Sequence, residues 1–305
     1  MNECPYRPQR PQRPQRPLRP QRPQITTIHA ALFLLLSAVC SLAAYAEPAS
    51  RNIEVLGARL KKAVDTCPRL SLQTIGEVRY DAFTAPLWCV TYKPEAATAP
   101  RVLLTAGVHG NEPAGIISLL RFIENLAKGT SPYSGIAFDI IPLVNPWGWV
   151  NDKRTNGKGL DINRDFASFK AKESEIIRDF TKSRTYDLIL DHHEDGGAKG
   201  FYLYQIDNKE DALCKSIIAK QKALNFPVEQ DEWMVILKTH DGIIKAPRWT
   251  LEFVRSVKQL SMANYFRLTR CARVYLFETP KQRPLDDRLA MYAAGVECLM
   301  ESLKK

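Results

Sequence analysis

Three absences narrow the reading of this chain before any motif is considered. None of its seven cysteines forms a C-x-x-C pair, which argues against a cysteine zinc site. Beyond residue 46 lysine and arginine never gather into a run that would demand a nucleic-acid partner. The apolar stretch Ala30 to Val39 falls short of the ~20 residues that a membrane span needs. The net charge points the same way. Of the formal +10, the first 46 residues carry six arginines against one glutamate; the remaining 259 residues hold 37 basic and 32 acidic side chains, a net of only +5.

What is present divides the chain in three. Within residues 1–24 an Arg-Pro-Gln triplet repeats from Arg7 onward, with Leu18 its one exception. Proline at every third position forbids helix and sheet, so this tail reads as extended or disordered, an upstream extension without a role of its own. Behind that basic stretch, residues 25–46 join a short apolar core to Ala44-Tyr45-Ala46, the pattern of a signal peptide cleaved after Ala46. This predicts a periplasmic or secreted protein with no stable membrane insertion after cleavage. Residues 47–305 are long enough for one large domain with a real core. Their five cysteines are an odd number with no deducible pairing and read mostly as small buried hydrophobes.

Strand-like and helix-like runs alternate along that domain. Strands are expected at Leu87–Tyr92, Val102–Ala106, Phe138–Val144, Leu188–Leu190, Gly200–Tyr204 and Val274–Phe277. Helices are expected at Ala114–Leu126, Lys172–Lys182, Asp211–Leu224 and Pro284–Leu303. The alternation predicts a single α/β domain: a mixed, mostly parallel sheet with helices on both faces. In such sheets ligands bind outside the carboxyl ends of the strands. His109, Asn145, the pair His192-His193 and Glu278 all fall at such ends.

Four segments carry chemistry. Gly107-Val-His109-Gly-Asn-Glu112-Pro113 offers an imidazole and a carboxylate just after an apolar strand, a natural half-site for zinc. Its glycines permit a tight turn, and Pro113 suits the first position of a helix. Asp191-His192-His193-Glu194 supplies a second half-site. Adjacent histidines on a strand point to opposite sides, so only one faces a metal; a neighbouring acid would hold its other ring nitrogen. Arg154 to Phe166 is a glycine-rich loop containing Asn163 and Arg164. Its arginines suit bidentate binding of a carboxylate or stabilisation of an oxyanion. Glu278 ends an apolar strand, where a partly desolvated carboxylate is suited to general-base work.

H-x-x-E, a later N-R, a histidine at a strand end and a glutamate after a late apolar strand, in that order, resemble the zinc metallocarboxypeptidase family with the carboxypeptidase A-like fold. That family includes bacterial murein peptide amidases and is related to succinylglutamate desuccinylase and aspartoacylase. The resemblance runs from about Val102 to Pro280. It implies one zinc ion held by His109, Glu112 and His193, with His192 the rival third ligand and Asp191 in support. It also implies Glu278 and Arg154 as catalytic groups, the second polarising the scissile carbonyl, and Asn163 and Arg164 as the grip on a substrate carboxylate. Asn145-Pro146-Trp147-Gly148 stands where relatives have Asn-Pro-Asp-Gly, and no counterpart of the substrate-binding tyrosine is evident, Tyr265 being the one candidate. The implied activity is hydrolysis of an amide near a free carboxylate, at a peptide C-terminus or in a cell-wall stem peptide. The alternative is deacylation of an N-acyl amino acid.

Overall fold

The structure, a computed structural model, describes residues 51–304 apart from 130, 231, 232, 235 and 236. The triplet tail and the segment expected to direct export lie outside the described residues. Residues 50–305 form one compact unit.

Ten strands make one sheet: β1 (Leu70–Tyr80), β2 (Phe83–Tyr92), β3 (Arg101–Ala106), β4 (Ala137–Ile141), β5 (Leu188–Asp195), β6 (Tyr202–Ile206), β7 (Trp233–Met234), β8 (Leu237–His240), β9 (Ile243–Ala246) and β10 (Val274–Pro280). Their order is β1-β2-β4-β3-β5-β10-β6-β9-β8-β7. The central strands β4, β3, β5 and β10 run parallel, while β1 and β2 on one flank, and β6 against β10 on the other, pair antiparallel. Parallel strands sit covered on both faces, hence the unbroken burial of Val102 to Ala106 and of Leu188 to Glu194.

Eight helices are described: α1 (Ile53–Asp65), α2 (Pro113–Ala127), α3 (Pro146–Asn151), α4 (Lys172–Thr181), α5 (Asp211–Ala223), α6 (Arg248–Ser256), α7 (Met262–Thr269) and α8 (Leu285–Glu301). α2 and α8 cover one face: a Cβ on Gly115 would meet the His192 Cβ at 2.9 Å, and Gly295 of α8 lies against the Phe277 ring. α7 packs on β10, β5 and β6. No helix among the described residues is long and apolar enough to cross a membrane.

Most of the predicted elements are found within one to three residues of their bounds. Phe138–Val144 is a correction: β4 stops at Ile141, because Pro142 has no N–H for the ladder. Leu143 and Val144 instead form the turn that ties the ends of β4 and β3, through Val144 N–H to Ala106 O and Asn145 N–H to Gly107 O. β5 is longer than expected and carries both histidines inside the strand. The helices α1, α3, α6 and α7 and the strands β1, β7, β8 and β9 had not been anticipated. All five described domain cysteines are free, and four are buried, as small hydrophobes would be.

Candidate metal centre and its cavity

Strand register decides which histidine faces the site. In β5, His193 lies opposite Glu278 of β10 and His192 opposite Phe277. Successive side chains alternate, so His193 shares a face with Asp191, Glu278 and Leu276, and His192 points the other way. There His192 packs on Tyr292 of α8, ring centroids 4.9 Å apart, with its Nδ1 3.0 Å from Thr105 O. Burial lowers its pKa to about 4, so it stays neutral beneath the helices.

His109 and Glu112 reach His193 from the turn after β3. Gly107 adopts φ 67°, and Gly110 passes so close to α3 that a Cβ would fall 2.0 Å from the Gly148 carbonyl carbon. Residues with side chains rarely adopt the first conformation, and at Gly110 a Cβ has no room at all. Pro113 begins α2 as expected. Glu112 stands at the N-cap position yet makes no capping bond. Glu194 does that work instead: its Oε2 accepts from Ala114 N–H at 2.6 Å, and its Oε1 pairs with Arg288 of α8. Relieved of capping, Glu112 turns its carboxylate to the two histidines. Oε1 lies 2.6 Å from His109 Nδ1, and Oε2 lies 3.0 Å from His193 Nδ1.

The chemistry of this donor set fits a cation. His193 Nε2 lies 3.0 Å from Asp191 Oδ2, whose other oxygen accepts from Thr105 Oγ1 at 2.7 Å. A neutral imidazole has one N–H. With that N–H at Nε2 donating to Asp191, a bare Nδ1 lone pair faces the Glu112 carboxylate, and the two repel unless a proton or metal ion lies between them. Burial alone would lower the His193 pKa, but the charges of Asp191 and Glu112 hold it well above the ordinary value. Burial would raise Glu112; His109 and His193 instead hold it well below the usual carboxylate range. The ligand atoms of His109, Glu112 and His193 lie within 4.8 Å of one another, and all three residues are buried. Two imidazoles and a carboxylate with one side open make the donor set of a catalytic zinc site.

The arginine loop closes over this centre. Asp161 Oδ2 accepts from Arg154 Nε at 3.1 Å, and its Oδ1 lies 3.3 Å from His109 Nε2, off the axis of a hydrogen bond. Arg154 directs Nη1 to His109 Nδ1 at 3.2 Å and toward Glu112 at 3.6 Å. Asn145 caps α3 through Gly148 N–H and donates to Arg154 O. The loop is anchored by a buried network that sequence reasoning missed. Tyr80 OH donates to Glu173 at 2.6 Å, and Asn156 donates to both while accepting from the N–H groups of Lys158 and Leu160. These residues are scattered over β1, the loop and α4, so no local pattern marks them. Asn163 is buried with Oδ1 accepting from Met262 N–H at 2.9 Å, which leaves its NH2 for a ligand. Arg164 is exposed, donates to its neighbour Asn163 O and pairs with no carboxylate among the described residues.

His109, Glu112, His193, Arg154, Arg164 and Glu278 all line a single cavity of about 590 Å³, as does Asn163. The Glu278 Oε2 atom is buried without a hydrogen-bond partner among the described residues. Burial pushes its pKa well above the ordinary value, opposed by His193. Tyr265 does not line the cavity. It is buried in an aromatic cluster with Phe166 and Phe169, at 5.6 and 5.5 Å between centroids, so its candidacy for the substrate tyrosine falls. The tyrosine in the cavity is Tyr204 of β6.

Residues 98–261 match the succinylglutamate desuccinylase/aspartoacylase catalytic domain. The chain belongs to that family. The matched stretch holds His109, Glu112, Arg154, Asn163, Arg164 and His193, with Glu278 beyond it. Carboxypeptidase E of Caenorhabditis elegans is 29% identical over 140 residues, 38% of this chain and 29% of that protein. Murein peptide amidase A of Escherichia coli K12 is 29% identical over 93 residues, 30% of this chain and 36% of that protein. The chain thus spans about a third of the length of these curated relatives. A solved candidate metallopeptidase from Shewanella amazonensis SB2B superposes with a TM-score of 0.68 at 24% identity, covering 83% of this chain and 94% of that one. Carboxypeptidase A from Helicoverpa armigera gives 0.60 at 17%, covering 91% and 82%. At these identities the structural likeness concerns the fold, which is carboxypeptidase A-like.

Proposed function

We propose that this protein is a zinc-dependent hydrolase of amide bonds that lie next to a free carboxylate, in the manner of a carboxypeptidase or peptide amidase. The observation that carries the reading is the meeting of His109, Glu112 and His193 in one cavity with Glu278 and Arg164. Zinc bound by the triad would supply a Lewis acid that lowers the pKa of water and polarises a carbonyl. The chain's own groups do the rest. Arg164 and the Asn163 amide hold the substrate carboxylate, which fixes the scissile bond in place. Arg154 donates to the carbonyl oxygen as negative charge grows there. Glu278 takes a proton from water at its carboxylate and returns it to the leaving amine.

The family assignment keeps a second reading alive, deacylation of an N-acyl amino acid, which uses the same groups on a smaller substrate. The zinc-loaded protein should be incubated with a C-terminal peptide library, a cell-wall tripeptide and an N-acyl amino acid. Cleavage of either peptide substrate supports the main reading; cleavage of the N-acyl amino acid alone replaces it with the second. The apolar run before Ala44-Tyr45-Ala46 further supports export. The mature protein should begin at Glu47 on N-terminal sequencing, and a soluble cytoplasmic form that keeps its tail would rule export out.

A further inference from the structure

Two buried acids beside the site take no part in the chemistry above. Glu173 is fully buried and accepts from Tyr80 OH at 2.6 Å and from Asn156 Nδ2 at 3.1 Å. Asp165 is also buried, and its Oδ2 accepts from Ala171 N–H at 2.7 Å and from Ser174 Oγ at 2.6 Å. Among the described residues these partners are all neutral, and no cation is paired with either acid. Burial raises the Glu173 pKa, opposed by the bonds from Tyr80 and Asn156. A carboxylate in such surroundings is costly unless its hydrogen bonds are made, so the bonds themselves are the reason to look for a role.

Their places along the chain show what is held. Asn156 stands at the start of the arginine loop, two residues after Arg154, and Asp165 directly follows Arg164. Both are gripped from the first turn of α4, by the adjacent residues Glu173 and Ser174, and α4 itself packs on β1. The span between these two feet carries Asp161, Asn163 and Arg164. Asn156 also closes the near part of the span on itself, its Oδ1 accepting from the N–H groups of Lys158 and Leu160 at 3.0 Å. The metal triad stands on other supports, the turn after β3 and the strand β5.

We propose that Glu173 is a positioning residue: together with Ser174 it fixes the place of Arg164 beside the metal centre. What Arg164 holds there rests on the function argued above. A loop without these two feet samples many conformations, and a guanidinium displaced by about an ångström loses the geometry of paired hydrogen bonds to a carboxylate.

The anchoring is read first without a ligand. Glu173→Leu offers Tyr80 and Asn156 no acceptor, and the isosteric Glu173→Gln offers one for two donors. In the zinc-loaded protein, hydrogen exchange at residues 156–165 should speed at least tenfold in Glu173→Leu and by less in Glu173→Gln, while residues 107–113 and β5 keep their protection. Ser174→Ala, which leaves Asp165 the Ala171 N–H, should loosen the far end of the loop. It carries the test with Glu173→Gln if Glu173→Leu fails to fold. The effect on Arg164 is read by equilibrium binding of N-acetylglycine, a carboxylate with no side chain, to the zinc-loaded Glu278→Gln protein. Glu173→Leu should weaken binding about tenfold, Glu173→Gln by less, and neither should add to the loss once Arg164→Ala has been made. Unchanged exchange in the loop overturns the proposal. So does a binding loss that is the same with and without Arg164, or no binding loss where Arg164→Ala alone causes one. A loosened loop in a protein whose N-acetylglycine binding ignores Arg164→Ala upholds the anchor and refutes the carboxylate grip of the proposed function.

Discussion

The two ends of the cavity are built on opposite principles. At the metal end the groups that support the triad are held by one another: Asp191 by Thr105, His193 by Asp191, Arg154 by Asp161, and Glu194 by Arg288 and the start of α2. Those groups sit on or beside the parallel strands, whose side chains cannot move without disturbing the sheet. At the other end, toward β6, β9 and α6, the described lining residues of those elements are uncharged, and Phe253 and Val257 stay half exposed. Reaction chemistry needs atoms fixed to fractions of an ångström, which a network of satisfied partners provides. Recognition of an apolar group needs area and shape, which uncharged side chains supply with few fixed contacts.

The comparison breaks most visibly at the metal ligand. His193→Ala should reduce bound zinc from about one equivalent to nearly none, whereas His192→Ala, on the other face, should keep it; the reverse would exchange their roles. Metal binding should also depend on pH with a definite sign. His193 is held well above its ordinary pKa by Asp191 and Glu112 against burial, so a metal must displace its proton. Affinity should therefore rise with pH through the neutral range and each metal bound should release a proton, measurable by titration in two buffers of different ionisation heat. Affinity that is flat across that range would mean that His193 is not protonated in the free site.

A smaller effect separates the base from the anchor. Glu278→Gln should keep zinc and substrate binding while lowering kcat roughly 10²–10⁴-fold, the range for a positioned general base. Wild-type turnover with zinc in place would remove Glu278 from the mechanism. Arg164→Ala should act mainly on KM, raising it by about 10–150-fold, the equivalent of one charge-assisted hydrogen-bonded contact of ~1.5–3 kcal/mol. An unchanged KM for every carboxylate-bearing substrate would take away the anchor. The smallest change belongs to the end of the cavity lined by α6. Phe253→Ala should lower kcat/KM for a Phe-ending substrate by no more than about tenfold, since half of that ring already faces water, and should leave zinc content untouched. Loss of metal in that variant would show that the two ends are not independent.

Most of what the sequence made legible was local. The turn after β3 shows its glycines, His109, Glu112 and Pro113 within seven residues, and Asp191, His192 and His193 are adjacent, so residue type and spacing already announce a metal half-site. The buried parallel strands were legible because coverage on both faces requires unbroken apolar runs. β1 was not: its exposure follows no clean alternation, so neither strand period stands out. Choosing His193 over His192 depends on which face each presents, and that is set by pairing with β10 and β3 from distant parts of the chain. For the same reason only the tertiary structure could hand the capping of α2 to Glu194, join Tyr80, Asn156 and Glu173 beneath the arginine loop, and bury Tyr265 while bringing Tyr204 to the cavity. The sequence by itself determined the kinds of groups available and the strand ends that carry them. The structure decided which of them meet, because a side chain's direction and partners are fixed by the register and packing of segments that no short stretch of sequence contains.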